Sequence, residues 1–208
     1  MNALSAAREE QATAWMPSVD ESPVATVLAR LHAQLELSVL AGTARSELPA
    51  PSPVQGRFLY ILARAVGART VVEFGCGAGV ATLYLAAAVR DNWGGRVLAI
   101  EPDASRRRHA MANILDAGVA PVVELCGEDA HAVLTGLTTP VDLLRLPSWQ
   151  DGYRTLFDAL LTRLRPGVTV VADGSPASLA PWFARLTPSG HGVASVPLGG
   201  GLEFAVLS

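Results

Sequence analysis

Residues 69–80 read Arg-Thr-Val-Val-Glu-Phe-Gly-Cys-Gly-Ala-Gly-Val, and this stretch limits the fold more than any other. Val71 to Phe74 is a mostly apolar run of strand length, and Gly75, Gly77 and Gly79 follow at every second position. Ala81 to Arg90 then carries good helix formers. Strand, glycine-rich turn and helix, in that order, open a nucleotide-binding α/β unit. The glycines let backbone amides approach a ligand, and the first helical turn adds unpaired N–H groups with partial positive charge.

The same rhythm continues downstream. Apolar runs predict strands near 70–74, 96–101, 121–125, 141–146 and 167–172, and helical periods predict helices near 79–90, 103–117, 129–136, 150–164 and 176–186. That alternation implies right-handed crossovers and a parallel sheet covered by helices on both faces, a Rossmann-like α/β fold. The tail departs from it. Residues 192–196 and 202–207 flank the turn Pro197-Leu-Gly-Gly-Gly201, which predicts an antiparallel C-terminal hairpin.

Upstream, residues 1–22 are polar and alanine-rich with breaks at Pro17 and Pro23, consistent with a short helix or a frayed arm. Val24, Val27, Leu28, Leu31, Leu35 and Val39 recur at helical spacing, and Gly42 ends that helix. Three prolines within residues 49–53 force a loop over 47–53. Ser52 is placed to cap the next helix, with Pro53 in its first turn and Phe58, Leu59, Leu62 and Val66 facing inward. We expect one domain over 1–208, with 1–52 as a helical cover and 53–208 as the ligand-binding core.

Composition narrows the function. The 208 residues are 50% hydrophobic with a mean hydropathy of +0.32, so the chain has material for a packed core. No apolar run reaches the roughly 18 residues of a membrane span, and residues 1–10 lack the apolar centre of a signal peptide, so a cytoplasmic protein is expected. A net charge of −3 gives no footprint for nucleic acid, and Arg106-Arg107-Arg108 reads as a solvated helix face. Cys76 and Cys126 make no disulfide framework, and Cys76 reads as a small buried residue. All 16 basic residues are arginine.

Three features mark the ligand. Glu73 stands inside the first strand, where a plain dinucleotide fold has an apolar residue. Glu101 ends the second strand, about twenty residues past the turn, where a carboxylate accepts hydrogen bonds from ribose hydroxyls. Gly127-Glu-Asp-Ala130 follows the third strand, where a polar group reaches an adenine edge.

Together with Ala99-Ile-Glu-Pro-Asp, Leu164-Arg-Pro-Gly-Val-Thr-Val-Val-Ala-Asp173, the lead-in Pro51-Ser-Pro-Val-Gln-Gly-Arg-Phe-Leu and the ending Val196-Pro-Leu-Gly-Gly-Gly-Leu, the chain resembles class I S-adenosylmethionine-dependent methyltransferases. Within them it is similar to the catechol and caffeoyl-CoA O-methyltransferase family, from about residue 24 to the end. The resemblance implies a seven-stranded sheet with an antiparallel last strand, S-adenosylmethionine as cofactor, a small-molecule acceptor and a homodimer. It implies that Gly75, Gly77 and Gly79 line the methionine part of the cofactor and that Glu101 holds the ribose. Pro102 lies beside the adenine, and Gly127, Asp129 and Ala130 stand at its edge. Trp149 either packs near the adenine or anchors its loop.

The same resemblance fails at the chemistry. The family binds a divalent cation with an Asp after the fourth strand and an Asp-Asn pair after the fifth, and takes the acceptor proton with a lysine three residues beyond the first Asp. Here those positions hold Pro147, Asp173, Gly174 and Gln150, so one of three ligands remains and the base is absent. We therefore expect methyl transfer to a small-molecule oxygen without a metal. The alternatives are a catalytically inactive cofactor-binding relative acting as a regulator or dimer partner, and an NAD-dependent oxidoreductase. Asp173, Asp151, Tyr153 and His131 are the candidate acid–base groups. Arg145, in an otherwise apolar strand, is either an interior ion pair to Asp173 or Glu101 or a contact for an acidic substrate.

Overall fold

A computed structural model describes residues 19–20, 23–42, 50–187, 190 and 192–208. The N-terminal arm therefore lies outside the described residues apart from 19–20, and the proline loop is described from Ala50 onward.

Seven strands form one sheet: β1 (Thr70–Phe74), β2 (Arg96–Ile100), β3 (Val123–Cys126), β4 (Leu143–Leu146), β5 (Thr169–Asp173), β6 (Val193–Gly199) and β7 (Leu202–Leu207). Their order is β3-β2-β1-β4-β5-β7-β6. The first five run parallel, β7 is antiparallel to β5, and β6 pairs with β7 as the expected hairpin. Strand order reverses between β1 and β4, and the crevice outside the carboxyl ends of strands at such a point is where open α/β sheets bind ligands.

Helices α1 (Val24–Leu40), α2 (Pro53–Ala65), α3 (Val80–Asp91) and α4 (Ala104–Asp116) are followed by α5 (Ala130–Thr135), α6 (Arg154–Leu161) and α7 (Pro176–Leu186). Side chains of α1 to α4 pack on the face that carries Val71, Val97, Ala99, Leu143 and Val171. Those of α5, α6 and α7 pack on the other face, against Val72, Phe74, Leu98, Leu144 and Val170. Both faces are covered, which is why β1, β4 and β5 read as near-continuous apolar runs. On the second face the Phe74 ring meets Tyr153, Phe157 and Trp182 edge-on at 5.5, 6.1 and 5.4 Å.

Local chemistry explains the helix ends. Ser52 Oγ accepts from the Gln55 amide, and Gln55 Oε1 accepts from the Ser52 amide at 2.9 Å, a reciprocal cap ahead of Pro53. The inner face of α2 is broader than expected: Leu59 is buried with Gly56, Tyr60 and Ala63, Phe58 and Leu62 pack partly buried against the same core, and Val66 alone of the expected four is exposed. Gly56 lets α2 lie close against α3, because a side chain there would enter the Tyr84 ring. Val39, expected inside, is 67% exposed, because α1 outruns the surface it covers. The segment expected as one helix over 150–164 is a 3₁₀ turn at Asp151–Tyr153 followed by α6, since Gly152 interrupts the apolar period. β3 likewise begins at Val123 because Pro121 places Ala120–Val122 in a 3₁₀ turn.

Candidate active site

The glycine turn leaves β1 at the switch point. Gly75 and Cys76 donate their amides to the Ile100 carbonyl at 2.8 and 3.3 Å, which fastens the turn to β2. Gly75, Gly77 and Gly79 all take left-handed φ values of 64°, 57° and 89°, which side chains resist. A Cβ on Gly77 would touch nothing within 4 Å, so glycine is needed for its conformation, and the space beside it stays open. Gly79 ends the turn as the cap of α3 without a side-chain acceptor, so the first amides of α3 are left for other partners.

Glu101 sits where sequence spacing puts it. Only 2% exposed, it accepts from the Gly77 amide on Oε2 at 2.9 Å and from the Asp103 amide on Oε1 at 3.0 Å. Each oxygen keeps a further lone pair for a ligand hydroxyl. Pro102 is exposed beside it. Across the β2–β3 edge, Gly127 donates its amide to Asp129 Oδ1 at 3.0 Å, and Ala130 is buried at the start of α5. The structure thus brings the glycines, Glu101, Pro102, Gly127, Asp129 and Ala130 to one end of adjacent strands.

Arg107 was not expected here. The sequence places it on a solvated face, yet its guanidinium turns inward and donates to the carbonyls of Glu101 and Pro102 at 2.8 and 3.2 Å. It lies so close over Gly127 that a Cβ there would fall 2.4 Å from the guanidinium carbon. The signal was weak: one arginine of three, with its glycine partner twenty residues away in the chain.

Glu73 and Arg145 are register partners on β1 and β4, so their side chains leave the same face of the sheet. The Arg145 guanidinium pairs with Glu73 Oε1 at 3.4 Å on one side, and its NH2 donates to Asp173 Oδ2 on the other. NH1 also reaches the Gly75 carbonyl at 3.4 Å, and Thr82 Oγ1 donates to Glu73 Oε2 at 2.6 Å. Arg145 is therefore an interior ion pair to Asp173, as one expectation had it. Its second partner is Glu73 rather than Glu101. Burial pushes the Glu73 carboxyl above its ordinary value, against the pull of Arg145 and Thr82. Burial opposes the Arg145 charge too, but Asp173 and Glu73 outweigh it and hold the guanidinium above its ordinary value. Arg145 Nε is buried with no hydrogen-bond partner, a cost of about 1–3 kcal/mol that the rest of the cluster offsets.

The residues do not fit the divalent cation that the resemblance implies. Asp173 already binds a guanidinium, and Pro147 carries no ligand. A side chain at Gly174 would meet Ser178 Oγ at 2.4 Å and Ser148 Oγ at 2.8 Å, so the position of the family's asparagine is filled by serine hydroxyls. A dication on Asp173 would sit beside the guanidinium charge and be repelled by it. Among the described residues no group of three or more His, Cys, Asp or Glu side chains is placed to hold a metal.

The other candidates lie elsewhere. Tyr153 is 2% exposed in the aromatic cluster beneath the opposite face, and burial raises its phenol well above the ordinary value. His131 is exposed on α5, and Asp151 is exposed and accepts from Trp149 Nε1 at 3.1 Å. The Trp149 ring meets Trp182 at 4.5 Å and lies under the Arg185 guanidinium. Trp182 Nε1 donates to the Pro147 carbonyl at 2.8 Å, which fixes the loop after β4 against α7. Burial raises the Cys76 thiol well above its ordinary value, so it is no nucleophile.

The sequence profile of methyltransferase domains matches residues 72–175, half the chain, from inside β1 to the cap of α7. The chain belongs to the methyltransferase domain family. The resemblance to class I S-adenosylmethionine-dependent methyltransferases is thereby borne out. A putative O-methyltransferase of Mycobacteroides abscessus is 30% identical to this methyltransferase-family chain over 167 residues, 77% of each. The catechol O-methyltransferase of Niastella koreensis is 32% identical over 126 residues, 59% of this chain and 56% of its own length, so the match spans little more than half of that relative. An O-methyltransferase of Streptomyces achromogenes involved in tomaymycin synthesis, solved in complex with S-adenosylmethionine, superposes with a TM-score of 0.66 at 25% identity, covering 88% of this chain and 89% of its own.

Proposed function

We propose that this chain is an S-adenosylmethionine-dependent O-methyltransferase that acts on a small molecule without a divalent metal. The observation that carries the metal-free reading is the buried guanidinium of Arg145 on Asp173, the one metal-ligand position retained. The open space beside Gly77 and the spare lone pairs of Glu101 support the cofactor. Gly75, Gly77 and Gly79 would line its methionine part and Glu101 would take the ribose hydroxyls. Pro102, Gly127, Asp129 and Ala130 would frame the adenine, with Arg107 bracing that frame. Glu73 would act from below, tying the turn to α3 through Thr82. For Trp149 we propose the anchoring role that its contacts with Trp182 and Arg185 support.

When bound, the cofactor supplies a methyl group already activated on a sulfonium. The chain's part is orientation, proximity and exclusion of water. We read residues 1–208 as one unit, with 1–52 as cover and 53–208 as core, working in the cytoplasm, where its two free cysteines would stay reduced. We also read it as a homodimer, for which exposed Leu37, Leu40, Val54 and Ile61 on α1 and α2 supply apolar surface.

The test is calorimetric titration of S-adenosylmethionine and S-adenosylhomocysteine. Affinity in the micromolar range, about −8 kcal/mol, is expected. No binding of either would overturn the reading. Binding without turnover of any acceptor would favour the inactive regulator instead.

A further inference from the structure

We propose that the cavity at the amino ends of β1, β2 and β4 is a second ligand site, and that it takes a small molecule carrying a phosphate group. This goes beyond the methyl-transfer reading and does not depend on it. The cavity holds about 650 Å³, within the range of small-molecule sites. It is lined by Arg69, Thr70, Gly95, Arg96, Thr139 and Asp142, among others. The glycine turn lies at the opposite end of the sheet, with the length of β1, roughly 17 Å, between the two.

Donors from three segments converge there. Arg69, just ahead of β1, uses Nε on the Gly94 carbonyl at 3.3 Å, and its two terminal nitrogens hold no hydrogen bond among the described residues. Arg96, at the start of β2, donates NH2 to Thr139 Oγ1 at 3.1 Å, and its NH1 stands 3.9 Å from Glu124, beyond hydrogen-bond reach. Thr70, only 6% exposed, joins the same Thr139 hydroxyl at 3.3 Å. Two planar guanidinium groups beside a pair of hydroxyls suit a phosphate, whose oxygens accept several charge-assisted bonds at once. A carboxylate has fewer oxygens to divide between the two arginines.

The carboxylate in the lining does not work against an anion. Asp142 Oδ2 accepts from the Arg69 and Thr70 amides, both at 2.9 Å, and Oδ1 accepts from Arg165 at 3.0 Å. Its charge is already matched by donors that fix the amino end of β1, and the lining keeps two arginines against one carboxylate. The wall beside those arginines is preformed. Asn92 Nδ2 donates to the carbonyls of Ala63 and Ala68 at 3.0 and 2.8 Å, and Arg64 donates to Asn92 Oδ1 at 3.0 Å. Trp93 follows with a left-handed φ of 66°, a conformation that side chains adopt only where their surroundings fix it. At Gly95 a Cβ would fall 2.2 Å from the Arg69 carbonyl oxygen, so the chain closes tightly on β1. The Arg96 amide then donates to that carbonyl at 2.7 Å, which makes the two arginines backbone neighbours across the β1–β2 edge.

The experiment titrates ribose 5-phosphate, inorganic phosphate and acetate into the full chain at fixed ionic strength, followed by backbone amide NMR shifts. Half-saturation at about 1 mM or below is expected for ribose 5-phosphate, with inorganic phosphate weaker and acetate at least tenfold weaker. The amides of Arg69, Thr70, Gly95 and Arg96 are expected to move, and those of Gly75, Gly77 and Gly79 to stay. Arg69→Gln and Arg96→Gln are each expected to weaken ribose 5-phosphate binding at least tenfold. Arg108→Gln, on the exposed side of α4, is expected to leave it unchanged. Acetate binding as tightly as ribose 5-phosphate, shifts centred on Gly77 and Glu101, or wild-type affinity in Arg69→Gln would overturn the proposal. So would equal weakening by Arg108→Gln, which would mean surface charge alone, or inorganic phosphate binding more tightly than ribose 5-phosphate. Should either arginine variant lose its native amide spectrum, the wild-type shifts decide.

Discussion

Replacing Arg145 by methionine isolates the buried cluster. The guanidinium is the shared partner of Glu73, whose side chain is fully buried, and of Asp173, whose side chain is 12% exposed. Methionine fills a similar volume but strands two carboxylates on one face of the sheet. Removing one partner of a buried ion pair costs about 3–5 kcal/mol, because the remaining charge is neither hydrated nor compensated. With a urea m-value of about 2 kcal/mol/M, that is a fall in midpoint of about 1.5–2.5 M. The sign of the pH dependence follows from the same geometry. Burial already raises the Glu73 carboxyl, and loss of the cation that pulls it down raises it further. A carboxyl raised in the folded state stabilises below its unfolded value and loses that stabilisation as pH rises through the folded one. The deficit of Arg145→Met is therefore expected to be largest at pH 8 and to shrink towards pH 5, and Glu73→Gln in the same background is expected to recover part of it. Urea titrations at both pH values check this. A loss below about 1 kcal/mol, equal at the two pH values, would refute the view that the cluster is an interdependent charge unit.

Other expectations are simpler. Gly56→Ala places a methyl 2.1 Å from the Tyr84 ring, so thermal unfolding should show a loss of about 1–3 kcal/mol despite alanine's better helix propensity; Tyr84→Leu should relieve it. Burial holds the His32 imidazole below its ordinary value, although Glu36 pulls it up. Its stabilising contribution is thus present above the unfolded value near 6.5 and is lost as pH falls, so His32→Gln should flatten the stability curve between about pH 7 and 5. Burial raises the Cys76 thiol and pushes Cys126 up to about 12, so alkylation at pH 8 should be slow in the native protein and rapid at both thiols in denaturant; fast native labelling would contradict it.

Local signals in the sequence carried most of the fold. The Ser52-Pro53-x-Gln55 cap, the glycine turn and the Gly199–Gly201 hairpin each depend on neighbours within a few residues, and all three stand where their chemistry puts them. Glu101 was legible because strand length and crossover length fix its distance from the turn. What escaped depends on contacts between distant segments. Arg145 and Glu73 are register partners although 72 residues apart, and no pattern in either strand announces that pairing. Arg107 over Gly127 and Gln55 on Gly200 are of the same kind: each joins ends of elements that only the folded sheet brings together. On α2 the apolar period placed Phe58, Leu59 and Leu62 on the core, but the burial of Gly56 depends on the Tyr84 ring of another helix, which no pattern within α2 shows.

The central claim is methyl transfer without a metal, and the most direct test is the initial rate of label transfer from methyl-labelled S-adenosylmethionine to a panel of small hydroxylated acceptors, measured in excess EDTA and again in millimolar magnesium. Equal rates in the two conditions are the result the account requires. Transfer that vanishes in EDTA and returns with magnesium would contradict it, and would mean that Arg145 gives up Asp173 to a cation.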